Sequence, residues 1–209
     1  MIAVDGPAAS GKGTIAQALA AHFGLPHMDT GLLYRAVALN LWRWGGDPAS
    51  EFEALRASDM LSIDPVDDEL RSEPVSRIAS SISAYPSVRT ALLDRQRQFA
   101  GQPGGAVLDG RDIGTVIAPD ATAKLFVTAS AEVRAQRRVR ELLERGMPAH
   151  YDDVLADIRA RDERDTAREV APLKPASDAI IFDTSNLDRD AAIAEAIRLV
   201  DGRLAHSHS

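Results

Sequence analysis

The chain has no cysteine and only three lysines, at positions 12, 124 and 174. Without thiols, neither a disulfide framework nor a thiolate metal site belongs to the design, and a reducing compartment is permitted. Aromatic residues make up only 5% of the chain, and no apolar run approaches the length of a membrane span. An excess of basic charge is also lacking. Against 31 acidic residues stand 24 basic ones, a formal charge of −7, so no overall basic field draws in nucleic acid. Met1 to Val4 is followed at once by Asp5 and Gly6, which leaves no basic leader and no apolar stretch of signal-peptide length. The expected location is therefore the cytoplasm. With 209 residues, 45% hydrophobic and 26% charged, the chain is expected to form one main globular domain.

What is present begins with Gly6-Pro7-Ala8-Ala9-Ser10-Gly11-Lys12-Gly13-Thr14. Ahead of it Ile2-Ala3-Val4 reads as a buried strand, and behind it Ile15, Leu19 and Phe23 recur at helical spacing. Strand, glycine-rich loop and helix make up the setting of a phosphate-binding loop. Glycines permit the tight turn, and successive N–H groups and the positive helix end then converge on phosphate oxygens. Lys12, expected on an exposed loop, adds a point charge, and the Thr14 hydroxyl suits the Mg²⁺ side. Gly13 stands directly after the lysine, where most such loops carry Ser or Thr; Gly-Lys-Gly-Thr is the form seen in nucleoside monophosphate kinases.

Short apolar runs alternate with longer amphipathic ones, the pattern of a parallel sheet flanked by helices. Strands are expected at Ile2 to Val4, Leu25 to Met28, Ala106 to Leu108, Ala123 to Val127 and Ala179 to Phe182, five in all. Helices are expected over Ile15 to Phe23, Leu32 to Trp44, Val75 to Ser83, Val88 to Phe99, Ala131 to Arg145, Tyr151 to Thr166 and Ala191 to Leu204. The weakest organisation falls at Pro48 to Pro74, rich in acidic residues, serine and proline, and reads as a small substrate-side element or a surface connection. The tail His206-Ser207-His208-Ser209 is short and polar, and it is expected to be disordered.

Two segments follow strands directly and so belong at the carboxyl edge of the sheet, where open α/β folds bind ligands: Asp29-Thr30-Gly31-Leu32-Leu33-Tyr34-Arg35 and Asp109-Gly110-Arg111-Asp112. On residue type alone, Asp29 or Thr30 also suits a helix cap and Arg35 a solvated charge. Between positions 134 and 168 lie nine arginines: 134, 137, 138, 140, 145, 159, 161, 164 and 168. Interspersed Asp157, Asp162, Glu163 and Asp165 account for part of them as solvated helix pairs. Arg161, Asp165 and Arg168 are expected on one helical face, and planar guanidinium forks suit phosphate oxygens. Gly146-Met147-Pro148 separates two helices, giving a hinged arginine-bearing arm at 131–168 of the kind that closes over transferring phosphates.

These stretches, with Asp-Gly-Arg-Asp-Ile-Gly-Thr-Val at 109–116 and Arg-Asp-Glu-Arg-Asp-Thr-Ala-Arg at 161–168, resemble bacterial cytidylate kinase, a nucleoside monophosphate kinase family of P-loop kinases. The similarity spans nearly the whole chain. It implies a single P-loop kinase domain that transfers the ATP γ-phosphoryl group to CMP or dCMP, with Mg²⁺, and it implies a site residue by residue. Gly6, Pro7, Ala8, Ala9, Ser10, Gly11, Lys12, Gly13 and Thr14 would hold ATP. Thr30, Tyr34 and Arg35 would lie along the acceptor, and Ser80, Arg89 and Asp112 would approach its base. Arg111, Arg161, Asp165 and Arg168 would contact phosphate and ribose, and Lys12, Arg134 and Arg138 would join Arg161 and Arg168 in neutralising the transferring group. Without the resemblance Ser80 reads as a helix-surface serine and Arg89 as a helix-start charge.

The sequence departs from larger family members on the acceptor side, where residues 48–90 leave room only for an abbreviated element, shortest at Ser62 to Pro74. His22, His27 and His150 have no ligand spacing, and Trp42 and Trp44 read as packing or rim residues. A monomer is expected, with small-molecule partners only, no nucleic acid and no membrane. A kinase for another small acceptor and a nucleotide-dependent switch without turnover are the competing readings.

Overall fold

Ile2, Ala3 and Val4, almost wholly withdrawn from solvent, occupy the middle strand of a five-stranded sheet. The computed structural model describes residues 1–59, 61 and 68–206. Its strands are β1 (Ile2–Asp5), β2 (His27–Asp29), β3 (Val107–Gly110), β4 (Ala123–Thr128) and β5 (Ile180–Asp183), in the order β2-β3-β1-β4-β5. The pairs β1–β3, β1–β4 and β4–β5 are parallel, with Asp5 level with Gly110 and Phe126. A central strand buried on both faces has no use for polar alternation, which explains its unbroken apolar run.

Two compact units result: Asp29–Phe99, and Met1–Met28 together with the chain from Ala100 onward. The sheet unit carries α1 (Lys12–Phe23), α6 (Ala131–Glu144), α7 (Tyr151–Thr166) and α8 (Arg189–His206). Its core joins Ile2, Val4, Val107, Leu125 and Val127 of the sheet to Ile15 and Leu19 of α1 and Ala196 and Val200 of α8. The expected helical periodicity of Ile15, Leu19 and Phe23 is the face of α1 that packs on this core.

The other unit holds α2 (Thr30–Trp44), α3 (Glu51–Asp59), α4 (Glu73–Ile82) and α5 (Pro86–Ala100), with α2 packed on α3 and α4. Leu33, Val37 and Leu41 of α2 and Ile78 and Ile82 of α4 are buried. The stretch expected to be least organised is therefore largely helical: α3 and a 3-10 turn at Asp68–Arg71 lie within it, and Pro74 belongs to the first turn of α4. The missed signal is Ser50-x-x-Glu53. The Ser50 hydroxyl accepts from the Glu53 N–H at 3.3 Å and the Glu53 carboxylate reaches back to the Asp47 N–H at 2.9 Å, a variant of the capping box. Residues 62–67 and 207–209 lie outside the described residues, and with them six of the thirteen positions from Ser62 to Pro74; His206, expected in the disordered tail, is instead the last residue of α8.

Strand ends fall one residue or two beyond the apolar runs, and in four of the five strands an acidic residue is added, Asp5, Asp29, Asp109 or Asp183, while β4 gains Thr128. Hydrophobicity marks only the buried part of a strand, whereas the ladder continues to its mouth. Gly6 follows Asp5 so closely packed that an added Cβ would lie 2.1 Å from the Val127 carbonyl oxygen. Because that neighbour is main chain and cannot step aside, Gly6→Ala should destabilise by about 3 kcal/mol, the upper end of overpacking costs, as read from urea unfolding midpoints at constant slope.

Candidate active site

The loop from Gly6 to Gly11 owes its shape to carbonyls pinned from outside. Arg134 on α6 donates through Nη1 to the Ala8 carbonyl at 3.2 Å and through Nε to the Ala129 carbonyl at 2.9 Å. Arg137, one turn further on, lies 3.4 Å from the Ser10 carbonyl, which also accepts from the Thr184 hydroxyl at 3.3 Å. The Pro7 carbonyl is 3.4 Å from the Lys12 ammonium. In a trans peptide the N–H points opposite to the C=O. Pinning the carbonyls of Pro7, Ala8 and Ser10 therefore aims the N–H groups of Ala8, Ala9 and Gly11 away from those anchors. Gly11 caps α1 from a left-handed conformation, φ 87°, with no side chain bonded to the helix N–H groups. Ala9 also has a positive φ, 58°, which costs an alanine about 1 kcal/mol and which a glycine adopts freely.

Lys12 departs from expectation. It is half-buried and is the first residue of α1, not an exposed loop residue. The helix begins three residues before the apolar periodicity because Lys12, Gly13 and Thr14 carry no buried apolar side chain to mark its first turn.

Beside the loop opens a cavity of about 410 Å³, lined among others by Ser10, Thr14, Arg137, Arg138, Thr184 and Asp188. Arg137 spans its floor, donating to the Thr184 hydroxyl at 3.0 Å and the Thr184 carbonyl at 2.7 Å. Arg138 pairs with Glu141 at 2.8 Å. Thr184, Leu187 and Asp188, from the turn after β5, were invisible to motif reading, since nothing in their residue types announces a site. Their position past the carboxyl end of an outer strand is what brings them there.

Arg134 is buried and bidentate with Asp162 of α7, at 2.9 and 2.5 Å. This pair fastens the two arginine-bearing helices together, as does Arg159 with Glu132 at 2.7 Å on the surface. Arg168 lies beyond the end of α7 and not on its face, because the chain turns back after Thr166: Leu173 N–H bonds to the Asp165 carbonyl at 2.8 Å, and Pro172 bars helix continuation. Arg168 still reaches Asp165 from this turn, and Arg111 donates to the other Asp165 oxygen at 2.8 Å. Burial pushes the Asp165 carboxyl up, but the Arg111, Arg168 and Arg161 charges outweigh it and hold the group below the usual carboxylate range.

At the mouth of β1, Asp5 accepts from the N–H groups of Ile113 and Gly114, each at 2.8 Å. Burial raises its carboxyl to about 7, opposed by those two amides and by Lys12 and assisted by the charge of Asp112. Asp109 accepts from or pairs with His27 at 2.7 Å. His27, given no role from sequence, thus supports a strand-end carboxylate.

In the helical unit Asp29 does cap α2, accepting from the Gly31 N–H at 2.9 Å. Thr30 and Tyr34 are buried and Arg35 is half-buried. Ser80 is no surface serine: it is 5% exposed, and its hydroxyl has no hydrogen-bond partner among the described residues. Arg89 is buried too, donating to the Ser83 carbonyl at 3.1 Å with its guanidinium 5.7 Å from the centre of the Tyr34 ring. Trp42 and Trp44 are about half exposed, and Arg56 stacks over Trp44 at 4.9 Å, so they are rim residues rather than core.

A parallel sheet with a glycine-rich loop joining its middle strand to α1, ringed by arginines, defines a P-loop kinase. The chain belongs to the cytidylate kinase family, whose model matches residues 2–202. A cytidylate kinase from Xanthobacter autotrophicus is 58% identical over 207 residues, covering 98% of this chain and 99% of its own. One from Methylocella silvestris is 56% identical over 202 residues, covering 96% and 94%. Among solved structures, an uncharacterized protein from Eubacterium ventriosum shares the fold with a TM-score of 0.56 at 15% identity, over 96% of this chain and 97% of that one. No helix among the described residues is long and apolar enough to cross a membrane.

The Asp165 cluster supplies a test with a definite sign. A carboxylate held below its ordinary range contributes stability that is present at neutral pH and lost as pH falls through its lowered value. Asp165→Asn should therefore cost about 3 kcal/mol at pH 7, where it strands buried guanidiniums, and the difference from wild type should shrink in acid. Urea unfolding of both proteins across pH measures it.

Proposed function

We propose that the protein transfers the γ-phosphoryl group of ATP to CMP or dCMP, giving ADP and CDP or dCDP by direct in-line attack. The observation that carries this reading is the pinned Gly6–Thr14 loop at the head of α1, in a chain matched along its length by cytidylate kinases. The loop amides, Lys12 and the positive end of α1 hold the ATP phosphates. The cavity beside them, floored by Arg137 and bordered by Thr184 and Asp188, takes the rest of the nucleotide. Thr14 contributes a hard oxygen at the cavity wall, the donor type Mg²⁺ takes alongside phosphate oxygens and water. Held there, Mg²⁺ would supply positive charge that offsets the phosphates.

The chain's own groups do the rest by position and charge, with no covalent intermediate. Arg138 and Arg161 neutralise charge on the transferring group. Arg134, committed to Asp162 and the Ala8 carbonyl, shapes the loop and adds its field. Arg111 and Arg168, oriented by Asp165, bind the acceptor phosphate and ribose, and Thr30, Tyr34 and Arg35 line the acceptor. Residues 131–168 act as the lid. Cytosine offers an amine donor beside two acceptors. Asp112 accepts from the amine, while Ser80, whose buried hydroxyl has no partner among the described residues, and Arg89 donate to the acceptors. The protein works as a cytoplasmic monomer on these small molecules, without nucleic acid or membrane.

ADP release measured with CMP, dCMP, UMP, AMP, GMP and shikimate tests the whole reading. CMP and dCMP should lead; a preference for another acceptor, or ATP binding with no turnover on any, would point to a different kinase or to a switch. Base choice tests Asp112 by itself. UMP sets a carbonyl where cytosine has its amine, an acceptor against a carboxylate, which should cost about 1 to 3 kcal/mol, or roughly tenfold to a hundredfold in efficiency. Asp112→Ala should lower kcat/KM for CMP about tenfold or more and leave UMP nearly unchanged. A variant that keeps the full CMP over UMP ratio would exclude Asp112 as the base reader.

A further inference from the structure

Arg137 of α6 is spent differently from the arginines beside it. Arg134 and Arg138 each meet a carboxylate, Asp162 and Glu141. Among the described residues Arg137 meets none within ion-pair distance, and both of its terminal nitrogens donate to uncharged oxygens instead. Nη1 lies 3.4 Å from the Ser10 carbonyl and 3.0 Å from the Thr184 hydroxyl, and Nη2 lies 2.7 Å from the Thr184 carbonyl and 3.4 Å from the Leu187 carbonyl. Withdrawing a charge from water without a paired counter-charge is costly. Burial accordingly holds the Arg137 guanidinium below its ordinary value, against the opposing charge of Asp183. What the arginine supplies in return is span: the two ends of its planar fork reach acceptors that no single nitrogen reaches together.

The segments joined in this way both line the cavity beside the phosphate loop, Ser10 and Gly11 from the loop and Thr184, Leu187 and Asp188 from the turn after β5. Each segment also has its own moorings. The turn is fixed to the head of α6, where the Ser130 N–H donates to the Ser185 hydroxyl at 2.9 Å, and to β4, where the Thr184 N–H donates to the Thr128 carbonyl at 2.8 Å. The loop hangs from Arg134 by its Ala8 carbonyl. Arg137 connects the two, together with the Thr184 hydroxyl at 3.3 Å from the Ser10 carbonyl.

We infer that Arg137 is a positioning residue for the nucleotide donor: it sets the spacing between the phosphate side of the cavity, at Ser10 and Gly11, and the nucleoside side, at Thr184 and Leu187. This rests on the reading of the cavity as the donor site given above. A ligand that engages both sides gains from their being held at the right separation and loses when either drifts. A ligand that engages one side is indifferent to that separation. Lysine at this position keeps the charge, but its three donors share one nitrogen, so it does not hold the Ser10 and Leu187 carbonyls together.

The experiment titrates wild type and Arg137→Lys calorimetrically, at fixed Mg²⁺, with ATP, which reaches both sides, and with inorganic tripolyphosphate, which reaches the phosphate side alone. Arg137→Lys should weaken ATP about tenfold and tripolyphosphate less than about threefold, so the ratio of the two affinities falls. In turnover the change should appear in KM for ATP and not in KM for CMP. A residue that contributes only its charge would be rescued by lysine, and one that serves the loop or the fold alone would weaken both ligands by the same factor; either result overturns the proposal. If wild type itself does not prefer ATP over tripolyphosphate, the cavity is not the nucleoside seat and the donor reading falls together with the role of Arg137. A wild type with that preference and a variant that keeps it in full leave the donor reading standing and overturn the role of Arg137 alone. Should Arg137→Lys not fold, Thr184→Val replaces it, since it removes the hydroxyl that accepts from Arg137 and reaches Ser10. The ratio should fall in this variant too, by about threefold, and an unchanged ratio overturns the proposal equally.

Discussion

The peptide carbonyls of Pro7, Ala8 and Ser10 are all held from one set of anchors, and most other features of the sheet unit follow from that constraint. A loop of six residues between a strand and a helix has many shapes available, and only a few aim several N–H groups together. Hydrogen bonds from Lys12, Arg134, Arg137 and Thr184 select one of them. The anchors come from α1, α6 and the turn after β5, so the loop is defined by the sheet and its helices together. Gly6 pressed against Val127, and Gly11 with its left-handed backbone, are the positions at which this shape requires glycine.

Charge is distributed by the same logic. A chain with net charge −7 concentrates arginines on and beside two adjacent helices and pairs selected ones with buried or half-buried carboxylates. Asp162 holds Arg134, and Asp165 holds Arg111 and Arg168. Burying an isolated guanidinium is costly, so each paired carboxylate lets an arginine sit at fixed geometry inside the protein. Arginine suits this better than lysine because its planar fork donates to two acceptor atoms at once, as Arg134 does with Asp162 and Arg137 does with Thr184. The aspartates at the strand ends perform related work: Asp5 binds two amides, Asp29 caps α2 and Asp109 meets His27.

Residues of similar type divide sharply by environment. Ser50 caps a helix at the surface, whereas Ser80 buries a hydroxyl with no partner among the described residues; Arg159 forms a solvated pair, whereas Arg89 is buried against Tyr34. The exposed pairs contribute little to stability, while the buried polar groups constrain geometry and carry the proposed recognition.

The sequence by itself determined the elements whose signal is local. Apolar runs located all five strands, the glycine-lysine-threonine pattern located the phosphate loop, and helical periodicity found α1, α2 and α4 to α8 to within a few residues. It misjudged Pro48 to Pro74, where α3 is short and its Ser50-x-x-Glu53 start is weaker than the surrounding proline and serine. Arg168 was assigned to a helix that ends at Thr166, since spacing alone carries no information about where a backbone turns back. Only the tertiary structure decided that Asp5 would cap the turn after Asp112, that Thr184 would brace Ser10, and that Ser80 and Arg89 would be buried. These partners are separated by up to 174 residues, as between Ser10 and Thr184, and are joined by strand order and packing. Periodicity and motif record what each residue needs from its near neighbours; which distant residue supplies the rest is set when the parallel sheet brings its strand ends to one edge.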